Sequence, residues 1–248
     1  MRAAFLGLLS LGVLRPLPAE TLTVSAAASL TDAVREIARI YEAGSSDHVE
    51  FNFGASNFLE RQIEEGAPVD LFLSADEASV DRMEKSSSLA PGTRRSILSN
   101  TLVVIVENES ALAIESARDL AAERVHSVAL AEPNSVPAGI YARQYLETLG
   151  IWEKVRPKVI PSENVRAALA AVESGNVDAA IVYRTDAGIS KKVRIAYEVP
   201  ALAGPAISYG AGIVAASKRI EAARRFLSFL QSDAASAVFR RFGFLVKR

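Results

Sequence analysis

An α/β fold with mostly parallel sheets flanked by helices is what this 248-residue sequence predicts. Short runs rich in β-branched residues alternate with segments of helical period along nearly the whole chain. Several of the strand-like runs are apolar throughout, as strands covered on both faces are. The composition, 50% hydrophobic and 23% charged, is that of a globular protein able to bury a substantial core. Periodicity alone does not decide between one sheet and two.

Residues 1–19 stand apart. Arg2 begins the chain with a positive charge, Ala3 to Leu14 form an uncharged apolar run, and Leu17-Pro18-Ala19 ends in a small residue. That is the pattern of a cleaved signal peptide. The run is shorter than the roughly 20 residues a membrane-spanning helix needs. Its removal takes the formal net charge from −1 to −3, because Arg2 and Arg15 leave and no acid does.

Beyond it, Thr21 to Ala26 reads as a strand. Leu30 to Tyr41 reads as a helix, with Leu30, Val34, Ile37 and Tyr41 on one face. Val49 to Phe53 is a second strand, and Phe58 to Glu65 a helix stopped by Gly66 and Pro68. Asp70 to Ser74 is a buried strand and Ala78 to Lys85 a helix, which Asp76 is placed to cap. Thr101 to Val106 and Ser127 to Ala131 are strands, then Ala138 to Leu149 a helix. Lys158 to Ile160 is a strand leading to the helix Val165 to Ser174. Ala179 to Tyr183, Val193 to Val199 and Tyr209 to Ala215 are further strands. The helices Ile220 to Leu230 and Ala234 to Phe242 finish the chain.

Composition excludes several function classes. A near-neutral net charge offers no basic field for nucleic acid or an anionic membrane. With no cysteine there are no disulfides, thiolate metal sites or cysteine nucleophiles, and no lipid-modified cysteine. An exported product is therefore expected free in a Gram-negative periplasm. Two histidines, His48 and His126, make a multi-histidine metal site unexpected. Asp70 and Glu132 have no partner at metal-ligand spacing, so no site for a bare cation is predicted.

The strand-to-helix loops carry the chemistry. Ser29 precedes the first helix, with Asp32 three positions on at a capping-box-like spacing. Ser56 opens the second, Pro137-Ala138-Gly139 the third, and Asn164-Val165 the fourth. Each alone reads most simply as an ordinary helix start, and Tyr183 as a core aromatic with its hydroxyl at the rim. Together they supply hydroxyls and unpaired helix N–H groups, and several such termini converging on one point make an anion site. A secreted serine hydrolase using Ser29 or Ser56 lacks an identifiable base and a G-x-S-x-G elbow. No glycine-rich nucleotide loop is present.

At these loops the sequence resembles the periplasmic molybdate-binding proteins of ABC importers. The resemblance runs in order through Ala26-Ala27-Ala28-Ser29-Leu30-Thr31-Asp32-Ala33, Phe53-Gly54-Ala55-Ser56 and Gly66-Ala67-Pro68-Val69-Asp70. It continues through Val136-Pro137-Ala138-Gly139-Ile140-Tyr141, Glu163-Asn164-Val165-Arg166, Ile181-Val182-Tyr183 and Phe242-Gly243-Phe244. It implies a two-lobed periplasmic-binding-protein type II fold, each lobe a mostly parallel sheet flanked by helices. The implied divisions are a signal peptide at 1–19, a first lobe at 20–100, a second at 101–208, and a return to the first at 209–248. The implied ligand is molybdate or tungstate, with no cofactor. Ser29 and Ser56 would hold it by hydroxyl and backbone N–H, Ala138 and Val165 by backbone N–H, and Tyr183 by its phenol. The partners implied are membrane permease subunits, with the binding protein itself a monomer and not an enzyme. Sulfate or another tetrahedral oxyanion is the alternative ligand. A ligand-sensing module of a regulator would need a DNA-binding segment, which the sequence does not suggest. Asn57, Arg184 and Gly210 depart from the family pattern; Arg184 directly follows Tyr183 and could add positive charge near the cleft, an effect the sequence leaves open.

Overall fold

The computed structural model describes residues 19–247, so the expected signal segment lies outside the described residues except for Ala19. The chain runs β1 (Thr21–Ala27), α1 (Thr31–Ala43), β2 (His48–Gly54), α2 (Ser56–Glu64), β3 (Leu71–Ser74), α3 (Glu77–Lys85) and β4 (Arg95–Ser99). It crosses to β5 (Leu102–Glu107), β6 (Val128–Ala131), α4 (Pro137–Thr148), α5 (Trp152–Val155), β7 (Val159–Ser162) and α6 (Val165–Glu173). After β8 (Ala179–Tyr183), α7 (Arg184–Ile189) and β9 (Val193–Glu198) it returns through β10 (Tyr209–Ile213), α8 (Ile220–Phe229), α9 (Asp233–Arg241) and β11 (Leu245–Val246).

Two sheets result, one for each lobe. The first has the order β11-β4-β10-β3-β1-β2 and the second β7-β6-β8-β5-β9. The sheets are mixed, which corrects the expectation of mostly parallel ones. Pairs β1–β2, β1–β3, β6–β7 and β6–β8 are parallel, whereas β10 and β5 pair antiparallel with both of their neighbours. A parallel pair needs a crossover connection between its strands, and helices supply it here. Strands β5 and β10 enter directly from the other sheet, and they insert antiparallel.

The apolar spacing explains the helices that cover the sheets. On α1, Val34, Ile37, Ala38 and Tyr41 are buried, while Glu42 and the arginines lie more openly. Leu22, Val24 and Ala26 of β1 are fully buried beneath it. Burying such a Val, Leu or Ile side chain contributes about 1.5–3 kcal/mol. Asp76 caps α3 as expected, accepting from Ser79 N–H at 3.1 Å. Asn164 caps α6 through two backbone N–H groups.

Four elements are absent from the sequence reading, β4, α5, α7 and β11, all of them short. Strand β4 has only Ile97 and Leu98 buried, too short an apolar pattern to announce itself, and it forms by pairing with β10 and β11. Helix α7 has six residues, less than two turns, so no period can show in it. Gly210 in β10 sits flush against α3, where an added Cβ would come within 2.6 Å of Val80 Cγ2.

Candidate functional site

Six strand ends meet at one hollow between the two sheets. From the first sheet come Ala27, Ala28 and Ser29 after β1, Gly54, Ala55 and Ser56 after β2, and Ala75 after β3. From the second come Val136, Pro137 and Ala138 after β6, Asn164 and Val165 after β7, and Tyr183 at the end of β8. These are the carboxyl ends of the parallel strands, where open α/β sheets place their ligands. The five residues singled out from the sequence, Ser29, Ser56, Ala138, Val165 and Tyr183, are all buried and all line it. The cavity is about 20 Å³, above the ~10–15 Å³ one water-sized sphere needs, which suits one small solute rather than an organic molecule.

Three helices, α2, α4 and α6, start at this space. Ala138 lies ahead of Ile140, whose N–H bonds into α4 at Val136 C=O (2.9 Å). Val165 precedes Arg166 and Ala167, whose N–H groups Asn164 Oδ1 accepts at 2.9 and 3.1 Å. Ser56 precedes Phe58 and Leu59, which both donate to Ala55 C=O at 3.0 Å. Gly139 makes the approach of α4 possible. A Cβ there would lie 2.0 Å from Ala131 O and 2.6 Å from Glu132 O, so the helix start presses directly against the end of β6.

The serines are not caps. Helix α1 starts at Thr31 after a 3-10 turn, Ala28–Leu30, and neither start is capped by a side chain. Asp32, expected in a capping box, instead meets Arg166 Nη2 at 2.7 Å. Ser56 Oγ accepts from Ala75 N–H at 2.9 Å, which leaves its own proton free to donate. Ser29 Oγ lies 3.1 Å from Tyr209 Oη, and Asn100 Nδ2 donates to the same phenol oxygen at 3.2 Å. The Tyr183 hydroxyl is buried with no hydrogen-bond partner among the described residues. Burial, with nearby acidic groups adding to it, pushes the Tyr183 phenol well above its ordinary pKa, so it remains a proton donor.

Among the described residues no lysine or arginine lines the hollow. Arg166 follows Val165, but its guanidinium lies between Asp32 and the buried Asp186, whose Oδ1 is 2.5 Å from Nε. That contact is a close charge pairing without hydrogen-bond alignment. Burial raises the Asp186 carboxyl to about 6 despite the opposing charge of Arg166. Arg184, whose effect on the cleft the sequence left open, does not line the hollow. Its side chain pairs with Glu198 at 3.2 Å and faces an open groove beside Arg35 and Arg241. Asn57 faces outer grooves. Among the described residues no group of acids and histidines is placed to hold a metal ion.

Asn100 and Tyr209 are the residues around the hollow that sequence reasoning missed. Asn100 only precedes the strand-like run that starts at Thr101 and gives no signal of its own, and Tyr209 reads as the first residue of a strand. Only the meeting of the two crossing segments brings Asn100 Nδ2 within hydrogen-bond distance of Tyr209 Oη.

The arrangement offers hydroxyl and amide donors without a cation, which suits an anion with several acceptor oxygens. A family model described as bacterial extracellular solute-binding protein matches residues 22–245. The putative ABC transporter substrate-binding lipoprotein YvgL of Bacillus subtilis is 40% identical over 90% of this chain and 86% of its own. The molybdate-binding protein ModA of Escherichia coli is 36% identical over 91% of this chain and 89% of its own. Among solved structures, the substrate-binding domain of a putative molybdenum ABC transporter from Clostridium difficile superposes with a TM-score of 0.71 at 33% identity. That match covers 92% of this chain and all of the other.

Proposed function

The chain belongs to the bacterial extracellular solute-binding proteins, and from that premise we propose that it captures molybdate, or tungstate, as the free dianion. The observation that carries this reading is the hollow lined by buried neutral donors, with the Tyr183 hydroxyl buried and unpaired among the described residues. A tetrahedral dianion presents four oxygens, each able to accept more than one hydrogen bond. Ser29 and Ser56 supply hydroxyls, Ala138 and Val165 backbone N–H groups, and Tyr183 its phenol. Helix-terminal dipoles balance the charge without a flexible cation. The names of the relatives, a molybdate-binding protein and an ABC transporter substrate-binding lipoprotein, support the same ligand and transport role.

The protein acts as a monomeric receptor in the periplasm, with residues 1–19 as its export signal. Its lobes, residues 20–100 with 209–248 and residues 101–208, close on the ion, and a membrane permease reads the closed form. It is a binding protein and not an enzyme. His48 pairs with Glu42 at 2.7 Å, and neither it nor His126 lines the hollow, so no imidazole base reaches Ser29 or Ser56.

Calorimetric titration with molybdate, tungstate and sulfate tests the ligand. Molybdate and tungstate are expected to bind more tightly than sulfate. Sulfate binding tightest would reassign the protein to the alternative oxyanion. Ligand at about 1,000 times its Kd should stabilise the fold by about 4 kcal/mol, read as a rise in Tm. An unmoved Tm with all three anions would reject the reading. Ser29→Ala and Ser56→Ala should each weaken binding by about 1.5–3 kcal/mol, the value of a hydrogen bond to a charged group. Unchanged affinity in both variants would place the pocket elsewhere.

A further inference from the structure

We propose that Asn100 and Tyr209 are positioning residues, joined in a one-way hydrogen-bond chain that holds the Ser29 hydroxyl as a donor toward the bound anion. The inference rests on the proposed oxyanion site and adds a determinant of its selectivity. The chain starts at a fixed point. Thr101 N–H donates to Asn100 Oδ1 at 2.9 Å, which settles the orientation of the amide. Asn100 Nδ2 then faces two acceptors, Thr185 Oγ1 at 2.9 Å and Tyr209 Oη at 3.2 Å.

The remaining step is Tyr209 Oη to Ser29 Oγ at 3.1 Å, where either oxygen has the geometry to donate. Both residues are buried, and the Tyr209 hydroxyl meets only Asn100 and Ser29 among the described residues. If Ser29 donated to Tyr209, the tyrosine's own proton would be buried without an acceptor. If Tyr209 donates, both protons are used. The tyrosine proton goes to Ser29 Oγ, and the serine proton goes to an oxygen of the anion. The chain therefore runs from Asn100 through Tyr209 to Ser29 and ends on the ligand.

Selectivity follows from this direction. Ser56 likewise keeps its proton free to donate, its oxygen accepting from Ala75 N–H. With both serine protons turned toward the ligand, the hollow leaves one of them without an acceptor when the ligand presents a proton of its own. It admits a fully deprotonated oxyanion and disfavours one that carries a proton. The chain is also assembled where the sheets join, because Asn100 lies between β4 and β5 and Tyr209 opens β10. Thr185, its side branch, stands on α7 of the second lobe.

The test is a double-mutant cycle by calorimetric titration, run with whichever of molybdate, tungstate or sulfate the wild type binds most tightly. Tyr209→Phe should weaken binding by about 10-fold in the wild-type background and by less than about 2-fold when Ser29 is already alanine. It should also narrow the preference for that anion over inorganic phosphate, measured at mildly acidic pH where phosphate carries protons. A freed Ser29 hydroxyl can then turn and accept. Asn100→Leu removes the donor without adding a charge beside the anion, and its loss should likewise shrink when Ser29 is alanine. It serves if Tyr209→Phe does not fold, as judged by the ligand-free Tm. Equal losses in both backgrounds, an unchanged preference over phosphate, or no loss at all would overturn the chain while leaving the binding function standing. A wild type that binds none of the three oxyanions would overturn both.

Discussion

Replacing Gly139 by alanine is expected to lower the free energy of unfolding by about 3 kcal/mol, the upper end for overpacking a tight site, and to abolish anion binding. The added Cβ would fall 2.0 Å from Ala131 O and 2.6 Å from Glu132 O. Both are backbone oxygens at the end of β6, and no rotamer change relieves the contact. Helix α4 must retreat, and Ala138 retreats with it. A hydrogen-bond donor displaced by even an ångström no longer meets an oxygen held by the opposite lobe. Denaturant unfolding and calorimetry measure the two effects. Gly188→Ala is the control, since a Cβ there meets nothing within 4 Å, and it should change stability by less than about 1 kcal/mol. A Gly139→Ala protein that binds with wild-type affinity would show that the start of α4 does not hold the ion.

Asp47→Ala should destabilise the first lobe by about 3 kcal/mol, the lower end for breaking a buried ion pair. The Asp47 carboxylate is buried between α1 and β2. It accepts from Tyr41 Oη at 2.6 Å and from Arg225 Nε and Nη2 at 3.0 and 2.8 Å. It also receives Glu20 N–H at 3.3 Å, so it ties the start of β1 to α1 and α8. Arg225 is about one-third exposed, and water reclaims part of its charge in the variant, which sets the lower end. Burial works to raise the Asp47 pKa, but Arg225 and Tyr41 outweigh it and hold the carboxyl below its ordinary value. In acid the unfolded chain thus takes up this proton before the folded one. The contribution is complete above about pH 4, the ordinary aspartate value, and is lost as pH falls through the lowered folded value. The stability gap between wild type and variant should close in that window. A gap independent of pH would mean that the carboxylate charge is not its source.

How much was legible in the sequence differs from residue to residue. Helix α1 was legible because Val34, Ile37 and Tyr41 recur at helical steps and one face is buried. The short β4 and α7 were not, because neither contains a full repeat of any pattern. The positions of Ser29, Ser56, Ala138 and Val165 at helix starts could be read locally. Their purpose could not, since a cap and a ligand donor look alike in sequence. Coordinates separate the two uses. Ser56 Oγ accepts from Ala75 on a different loop, whereas Asn164 Oδ1 caps its own helix. Arg184 shows the converse, a charge adjacent to Tyr183 in sequence whose side chain pairs with Glu198 away from the hollow.

By itself the sequence determined the α/β class, the longer helices and strands, and the donor-rich loops, because all of these follow from local period and residue chemistry. Tertiary structure alone decided that the sheets are mixed, that six strand ends share one hollow, and that Tyr209 and Asn100 stand behind Ser29. Ser29 and Tyr209 are 180 residues apart, and their contact arises only when the returning strand β10 pairs with β3 and β4. Period and propensity act over a few residues. The direction of a hydrogen bond across the crossing segments is set by which groups burial leaves without water.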